Sequence, residues 1–332
     1  MTTIASFWVR GVADALNANG LDASSLLQQA GLDPQCLARP DARLDHDGVS
    51  RLWDLAVAAS GNPDIGLSAA SCSHPTGLDV ISYVLMSSPD LRHALGRLAR
   101  FLTLVNGAQA VQLLEEKDGC RLVLESWYAG ALPRARVDYT VALLMRLSRW
   151  LVGSDIQPLT AEFGYAAPDS HEAHSALLGC PLQFGRGRYS LLFSHDDLAL
   201  PLPSADPQLS HLHERLAEER LARLRQNSLS LQAQQEIRRQ LEKAVPTRES
   251  VAEALCIGER TLRRRLQDEG TSFQELLDQA RRDMARHYLA RTSLAFGQIA
   301  GRLGFADQSA FFRACRRWFD APPKQVREQF AN

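Results

Sequence analysis

Two segments near the C-terminal end, Val251–Leu266 (VAEALCIGERTLRRRL) and Ile299–Ala314 (IAGRLGFADQSAFFRA), align without a gap, 48 positions apart. Val251 matches Ile299, Ala252 matches Ala300, Leu255 matches Leu303, Ile257 matches Phe305 and Thr261 matches Ser309. Each copy reads as a short helix, a tight turn and a second helix. That is the helix-turn-helix unit, whose second helix fits a DNA major groove. Two units in tandem predict a protein that grips two successive turns on one face of a duplex.

A chain of 332 residues with 45% hydrophobic residues predicts two domains, each with a core. The net charge of −1 is unevenly split. Residues 231–332 hold 18 Lys/Arg against 13 Asp/Glu, or +5, and the remainder holds 19 against 25, or −6. A basic C-terminal part on an acidic N-terminal part points to a nucleic-acid module carried by something that does not bind polyanions. The six cysteines, Cys36, Cys72, Cys120, Cys180, Cys256 and Cys315, are scattered, as expected of reduced, buried thiols. The first residues (MTTIASFWVRGVADAL) lack the basic and apolar regions of a signal peptide, and no apolar run is long enough for a span. A cytoplasmic protein with no membrane partner is the expectation.

The expected fold class is mostly α, with an α+β N-terminal domain and an all-α C-terminal module of two helix-turn-helix units joined by a long helix. Helical spacing predicts helices through 1–105, including Asp47–Ala59 and Asp90–Leu104, the latter with Leu91, Leu95, Leu98, Phe101 and Leu102 on one stripe and Ser88 or Asp90 as cap. The period then changes. Ala108–Glu115 and Cys120–Trp127 alternate around Glu116–Gly119, which reads as a β-hairpin. A helix over Arg134–Val152, a strand over Leu159–Tyr165, a helix over His171–Leu178 and a second hairpin over Leu182–Phe193 around Gly185–Gly187 follow. Pro201–Pro207 is a linker by composition, Gln208–Gln226 a charged helix that closes the domain or meets a partner copy, and Asn227–Gln235 a flexible join. The expected domains are 1–205, for effector binding or dimerisation; 206–235, a helical linker; and 236–332, for DNA binding.

In the C-terminal module, Ile237–Val245 is expected as a supporting helix and Gly258 at the first turn. In the helix Glu259–Gln267, Leu262 and Leu266 lie four apart and must face the core. Arg260, Arg263 and Arg264 therefore project outward, with Thr261 at the rim and Arg265 sideways, toward an acidic neighbour or a phosphate. Arginine donates two hydrogen bonds to guanine O6 and N7. An ordinary solvated basic face has the same pattern, and the tandem context favours DNA. Ser272–Glu275 is a capping box that starts a helix to about Arg291. At 1.5 Å per residue it is roughly 30 Å long. Major grooves recur on one face about 34 Å apart, so a stiff helix of this length can hold two reading heads. In the second unit Phe296, Ile299, Leu303 and Phe305 supply the core. Gln308, Ser309, Phe312 and Arg313 begin the exposed face of the second reading helix, about Asp307–Trp318, where Gln308 suits adenine and Phe312 a thymine methyl. Arg316 and Arg317 suit phosphates. Pro322–Pro323 stops the helix.

These strings, RTLRRRL, TSFQELLDQARRDMARHYL, IAGRLGFADQSAFFRACRRWF and PPKQVR, resemble the AraC/XylS family of bacterial transcription regulators over residues 237–327. The resemblance implies base contacts from Arg260, Arg263 and Arg264 and from Gln308, Ser309 and Arg313. Ala306 stands where a capping residue is common, which moves that role to Asp307. Cys315 replaces a usual aromatic and Val326 a frequent tyrosine. The string HPTGLDVISYVLMSSPDLRHALGRLARFLTLVN resembles the arabinose-binding-like N-terminal domain of one AraC-type subgroup. Together they imply a regulator of promoter DNA, controlled by a small-molecule effector or by homodimerisation, that touches RNA polymerase. Activation is the commoner mode in the family. No cofactor and no catalytic residue are expected. Two other readings are an orphan regulator that only dimerises, and an enzyme fused to a DNA-binding module through Cys72 and His74 with His46 or His93. Trp53, Tyr83, Asn106, Trp127 and Tyr139 are either cavity-lining or core residues.

Overall fold

The computed structural model describes residues 3–73, 75–107, 109–126, 132–241, 244–269, 271–292, 294–319 and 321–331. His74 and Trp127 lie outside them. The chain forms two compact units, Thr2–Ala222 and Arg223–Asn332.

The first unit begins with a helical layer. A short strand β1 (Thr3–Ala5) leads into α1 (Ser6–Ala18) and α2 (Ala23–Gln29). Strand β2 (Arg43–Asp45) pairs antiparallel with β1 and leads into α3 (His46–Ser60), α4 (Ile65–Cys72), α5 (Val80–Met86) and α6 (Leu91–Phe101). Asp90, not Ser88, caps α6 by accepting from the His93 amide at 2.8 Å. The apolar stripe expected here is buried at Leu91, Leu95, Leu98 and Phe101. Each such side chain contributes about 1.5–3 kcal/mol, which is what holds so polar a helix to the domain.

The sheet follows: β3 (Gln109–Glu116), β4 (Gly119–Ser126), then α7 (Arg134–Val152), β5 (Thr160–Glu162), α8 (Glu172–Leu178), β6 (Leu182–Gln183), β7 (Tyr189–Ser194) and α9 (His195–Leu198). The strand order is β3-β4-β7-β5-β6. The β3–β4 hairpin forms as its alternation predicted, with Val111 opposite Leu124 and Leu113 opposite Leu122. The second expected hairpin does not form. Strand β6 pairs parallel with β5, which lies between it and β7. The glycine turn wraps the end of β5 instead, with Gly185 N–H donating to Tyr165 O at 2.8 Å and Arg186 N–H to Phe163 O at 3.1 Å. Helix α7 is buried along most of its length and crosses α4 at Gly66. A Cβ there would lie 1.9 Å from the Ala135 carbonyl oxygen, so only glycine admits this approach.

A long helix α10 (Pro207–Asn227) carries the chain between units. The stretch expected as a flexible join is helical: α11 spans Leu229–Leu241, and a break at Ser228 is all that separates it from α10. The reason is a carboxylate from far along the chain. Glu269 accepts from the amides of Leu229 (2.8 Å) and Ser230 (2.9 Å) and from the Ser228 hydroxyl (2.9 Å), capping the new helix. Burial opposes its ionisation, but these hydrogen bonds outweigh it and hold the carboxyl below its ordinary value.

Candidate nucleic-acid interface

The second unit holds α12 (Arg248–Ala254), α13 (Glu259–Asp268), α14 (Phe273–Arg291), α15 (Phe296–Arg302), α16 (Gln308–Phe319) and α17 (Pro323–Ala331). Two separate cores form. The first gathers α11, α12, α13 and the start of α14 around Ile237, Val251, Leu262, Leu266, Phe273 and Leu277. The second gathers the end of α14 with α15, α16 and α17 around Leu289, Ile299, Leu303, Phe311 and Trp318. Met284 packs against both. The duplicated Ala252 and Ala300 are each 2% exposed, small where their helices meet neighbours.

In the first head, Leu262 and Leu266 are buried and Arg260, Arg263, Arg264 and Arg265 are exposed, with Thr261 half-buried. Among the described residues none of these four guanidiniums makes a hydrogen bond or ion pair, so α13 presents a row of solvated donors with no internal partner. Glu259 lies in the first turn, near the positive helix end. Gly258 lies at the turn before α13, as expected. Gly258 is an ordinary extended N-cap, and the left-handed residue is Cys256, at φ 55°. The aligned position of the second copy is Gly304, at φ 70°. Both turns close alike: Ile257 N–H donates to Ala252 O, and Phe305 N–H to Ala300 O.

In the second head Asp307 caps α16, accepting from the Ala310 amide at 2.7 Å. Gln308, Ser309, Arg313 and Arg316 are exposed. Phe312 is half-buried and meets Phe296 edge-on, with ring centroids 5.7 Å apart, so most of its contact is with its own core. Arg317 is exposed, but it pairs with Asp278 on α14 and lies 5.7 Å over the Trp318 ring. The Trp318 indole N–H donates to the other Asp278 oxygen at 2.8 Å. Cys315 is fully buried, and burial pushes its thiol up to about 12. The Ser272–Glu275 capping box forms as read.

Sequence reasoning missed how the heads are joined. Arg281 on α14 donates through Nε to Leu303 O (2.8 Å) and through Nη2 to Gly304 O (2.9 Å), and its guanidinium lies 4.9 Å over the Phe305 ring. Nothing in helical periodicity separates this arginine from the solvated ones of α13.

In the first unit, Trp53 and Tyr139 are core residues with centroids 5.0 Å apart, and the Tyr139 and Ser73 hydroxyls are hydrogen-bonded at 2.9 Å. Asn106 is buried and donates to Gln109, whereas Tyr83 is exposed beside His213. His46 is buried and accepts from Arg136 at 2.8 Å; burial first, and then the Arg136 charge, lower its pKa to about 3 against a smaller opposing effect of Asp47. His93 bonds Asp90, and Cys72 is exposed. Among the described residues no cluster of three or more His, Cys, Asp or Glu side chains is placed to hold a metal, and no helix is long and apolar enough to cross a membrane. A recess of about 290 Å³, counting space open to solvent, is lined by Gln109, Leu124, Glu125, Leu132, Arg136, Val137, Thr140 and Tyr189.

Two helix-turn-helix cores on one spacer, with a basic exposed face on the first reading helix, define a DNA-binding protein. Known families agree. Residues 20–202 match the arabinose-binding domain of AraC transcription regulators (N-terminal), and residues 251–329 match a helix-turn-helix domain. The chain belongs to the AraC family of DNA-binding transcription regulators. It is 26% identical over 322 residues to the ornithine utilization regulator of Pseudomonas aeruginosa, covering 97% of this chain and 95% of the relative. It is 28% identical over 324 residues to the HTH-type transcriptional regulator VirS of Mycobacterium tuberculosis, covering 96% and 94%. The crystal structure of the transcriptional regulator CdpR from Pseudomonas aeruginosa aligns over 97% of this chain and 98% of that one, at 20% identity and a TM-score of 0.48.

Proposed function

We propose that this regulator reads a bipartite operator through α13 and α16 and answers to a small molecule held in its N-terminal part. Arg260, Arg263 and Arg264, with Thr261 at the rim, read one half-site. Gln308, Ser309 and Arg313 read the other, with Phe312 at the edge of that face and Arg316 and Arg317 toward phosphates. The carrying observation is the α13 face: exposed arginines without internal partners among the described residues, set opposite the buried Leu262 and Leu266. Carboxylates stand four residues away, Glu259 from Arg263 and Asp268 from Arg264, yet among the described residues neither forms an ion pair with its arginine.

In this reading residues 1–205 hold the effector and the dimer contact, 206–235 link, and 236–332 bind DNA. The protein is a cytoplasmic homodimer that activates transcription by touching RNA polymerase, and it is not an enzyme. Leu209, Leu212 and Leu216, between 43% and 57% exposed on one side of α10, support a contact between copies that extends from this part into the linker helix. The match of residues 20–202 to the arabinose-binding domain of AraC regulators supports a small-molecule effector in this part. Ornithine, for which the Pseudomonas relative is named, is the first compound to test.

The test is genome-wide mapping of sites bound by the intact protein, with a melting assay against ornithine and the metabolites of the bound operons. Paired motifs about one helical turn apart, and a raised melting temperature with one compound, are expected. A single motif would remove the bipartite reading. Dimers that form regardless, with no compound shifting the melt, would leave a regulator that only dimerises.

A further inference from the structure

The two cores of the DNA-binding unit share α14, but a shared helix alone does not fix their relative rotation. A head attached only at the end of a spacer can pivot about its last packed side chain. Three contacts remove that freedom. The Arg281 fork grips the carbonyls of Leu303 and Gly304 in the turn between α15 and α16. One helical turn earlier, Asp278 holds the far end of α16 through Trp318 Nε1 and Arg317. Val245, from the loop that precedes α12, packs on the same turn; a Cβ at Gly304 would lie 2.3 Å from its Cγ2. The second head is thus held at both ends of its turn-and-reading-helix segment, and touched directly by the first.

The Arg281 fork is well built for this task. Planar guanidinium geometry satisfies two adjacent carbonyls at once, which a lysine ammonium at the same place cannot do in fixed orientation. The carbonyls it takes are those left without intrahelical partners where α15 ends. Burial lowers the Arg281 pKa, with the nearby Asp278 charge opposing that shift; the partly desolvated contact is stronger than the same contact in water.

We propose that Arg281, with Asp278, is a positioning residue that sets the rotational phase between the two reading helices, and so the spacing of half-sites the protein accepts. This rests on the bipartite reading above. One inserted base pair rotates the far half-site by about 34° and moves it about 3.4 Å along the axis. A locked pair of heads must break contacts to follow; a pivoting pair need not.

The experiment uses the full-length protein and random-sequence duplexes, from which the wild type selects its preferred site. That site is then remade with one base pair inserted or deleted between the two motifs, and as each motif alone. The wild type is expected to lose at least about tenfold in affinity on either change of spacing. Arg281→Lys and Asp278→Asn are expected to hold each isolated motif within about threefold of the wild type, to bind the correct spacing more weakly, and to lose less than about threefold when spacing changes. Circular dichroism melts confirm that each variant is folded. Retained tenfold discrimination in both folded variants would overturn the proposal. Equal loss on every probe, isolated motifs included, would also overturn it, by reducing both residues to structural supports. A wild type that selects one motif, or none, would instead sink the bipartite reading on which the proposal rests.

Discussion

Replacing Phe311 with alanine tests whether the two heads are energetically separable. Phe311 is fully buried among Leu289, Ile299, Leu303, Ala314 and Cys315, with ring contacts to Phe305 at 5.8 Å and Phe312 at 6.2 Å. Truncating such a side chain costs about 3–5 kcal/mol, part transfer and part cavity. A domain of this size is stable by only about 5–15 kcal/mol in all, and the second core holds part of that. The substitution is therefore expected to melt the second head locally. The first core should survive, because it takes Phe273, Leu276, Leu277 and Ala280 from the N-terminal half of α14 and nothing from α16. Losing one of two linked binding modules removes the effective concentration the link supplies, worth about 10²–10⁴ in affinity. In a footprint on the selected site, protection should shrink to the α13 half-site, and the salt dependence should become shallower as phosphate contacts are lost. Unchanged protection of both half-sites would refute the role of the second core. Simultaneous loss of both, with the whole unit melting in hydrogen exchange, would refute the separability of the cores.

Arg264→Ala is expected to weaken binding to the selected site by about 1–3 kcal/mol and to relax preference at one base pair; equal losses on selected and random duplexes would assign Arg264 to phosphate. Gly304→Ala forces a side chain into a left-handed backbone at φ 70°, at roughly 1–2 kcal/mol, and drives it against Val245; a melt unchanged from wild type would contradict that packing. His46 gives a pH dependence: its folded pKa of about 3 lies below its unfolded value, so between these the unfolded chain binds the extra proton and stability falls as pH falls. At pH 5, about 1.5 units below an ordinary histidine, this amounts to roughly 2 kcal/mol, so in urea melts the unfolding free energy of the wild type should fall between pH 7 and pH 5 by about that much more than that of His46→Asn, with unchanged m-values.

The parts of this fold that were legible in sequence are those set by local periodicity. Leu262 with Leu266 fixes the face of α13, and the 48-residue repeat places the second head without further information. Ser272 with Glu275 marks the start of α14, and Asp307 takes the cap that Ala306 cannot supply. What stayed hidden depends on partners distant in the chain. The polar run 227–235 looks flexible in sequence because the carboxylate that caps its helix, Glu269, lies 40 residues away from Leu229. The strand pair β5–β6 is invisible because Gly185–Gly187 has the composition of a hairpin turn, and hydrogen bonds to Phe163 and Tyr165 decide otherwise. Arg281 and Arg317 carry the same charge as Arg263 and Arg313, and only tertiary contacts show that the first pair is engaged within the protein.

The two copies of the repeat differ where one touches the other. At aligned turn positions the first copy has Cys256 and the second Gly304, both left-handed. If backbone conformation alone chose the residue, glycine would be favoured in both, since an L side chain there costs roughly 1–2 kcal/mol. The added constraint acts on the second turn only. Val245 and the Arg281 guanidinium press on Gly304 from two elements, leaving no room for a Cβ. Cys256 is exposed, and its side chain occupies open space. The first turn therefore tolerates a strained residue, while the second must be bare because it is the surface on which the heads are joined. Divergence between the copies thus follows from the geometry of their union and is independent of which bases either one reads.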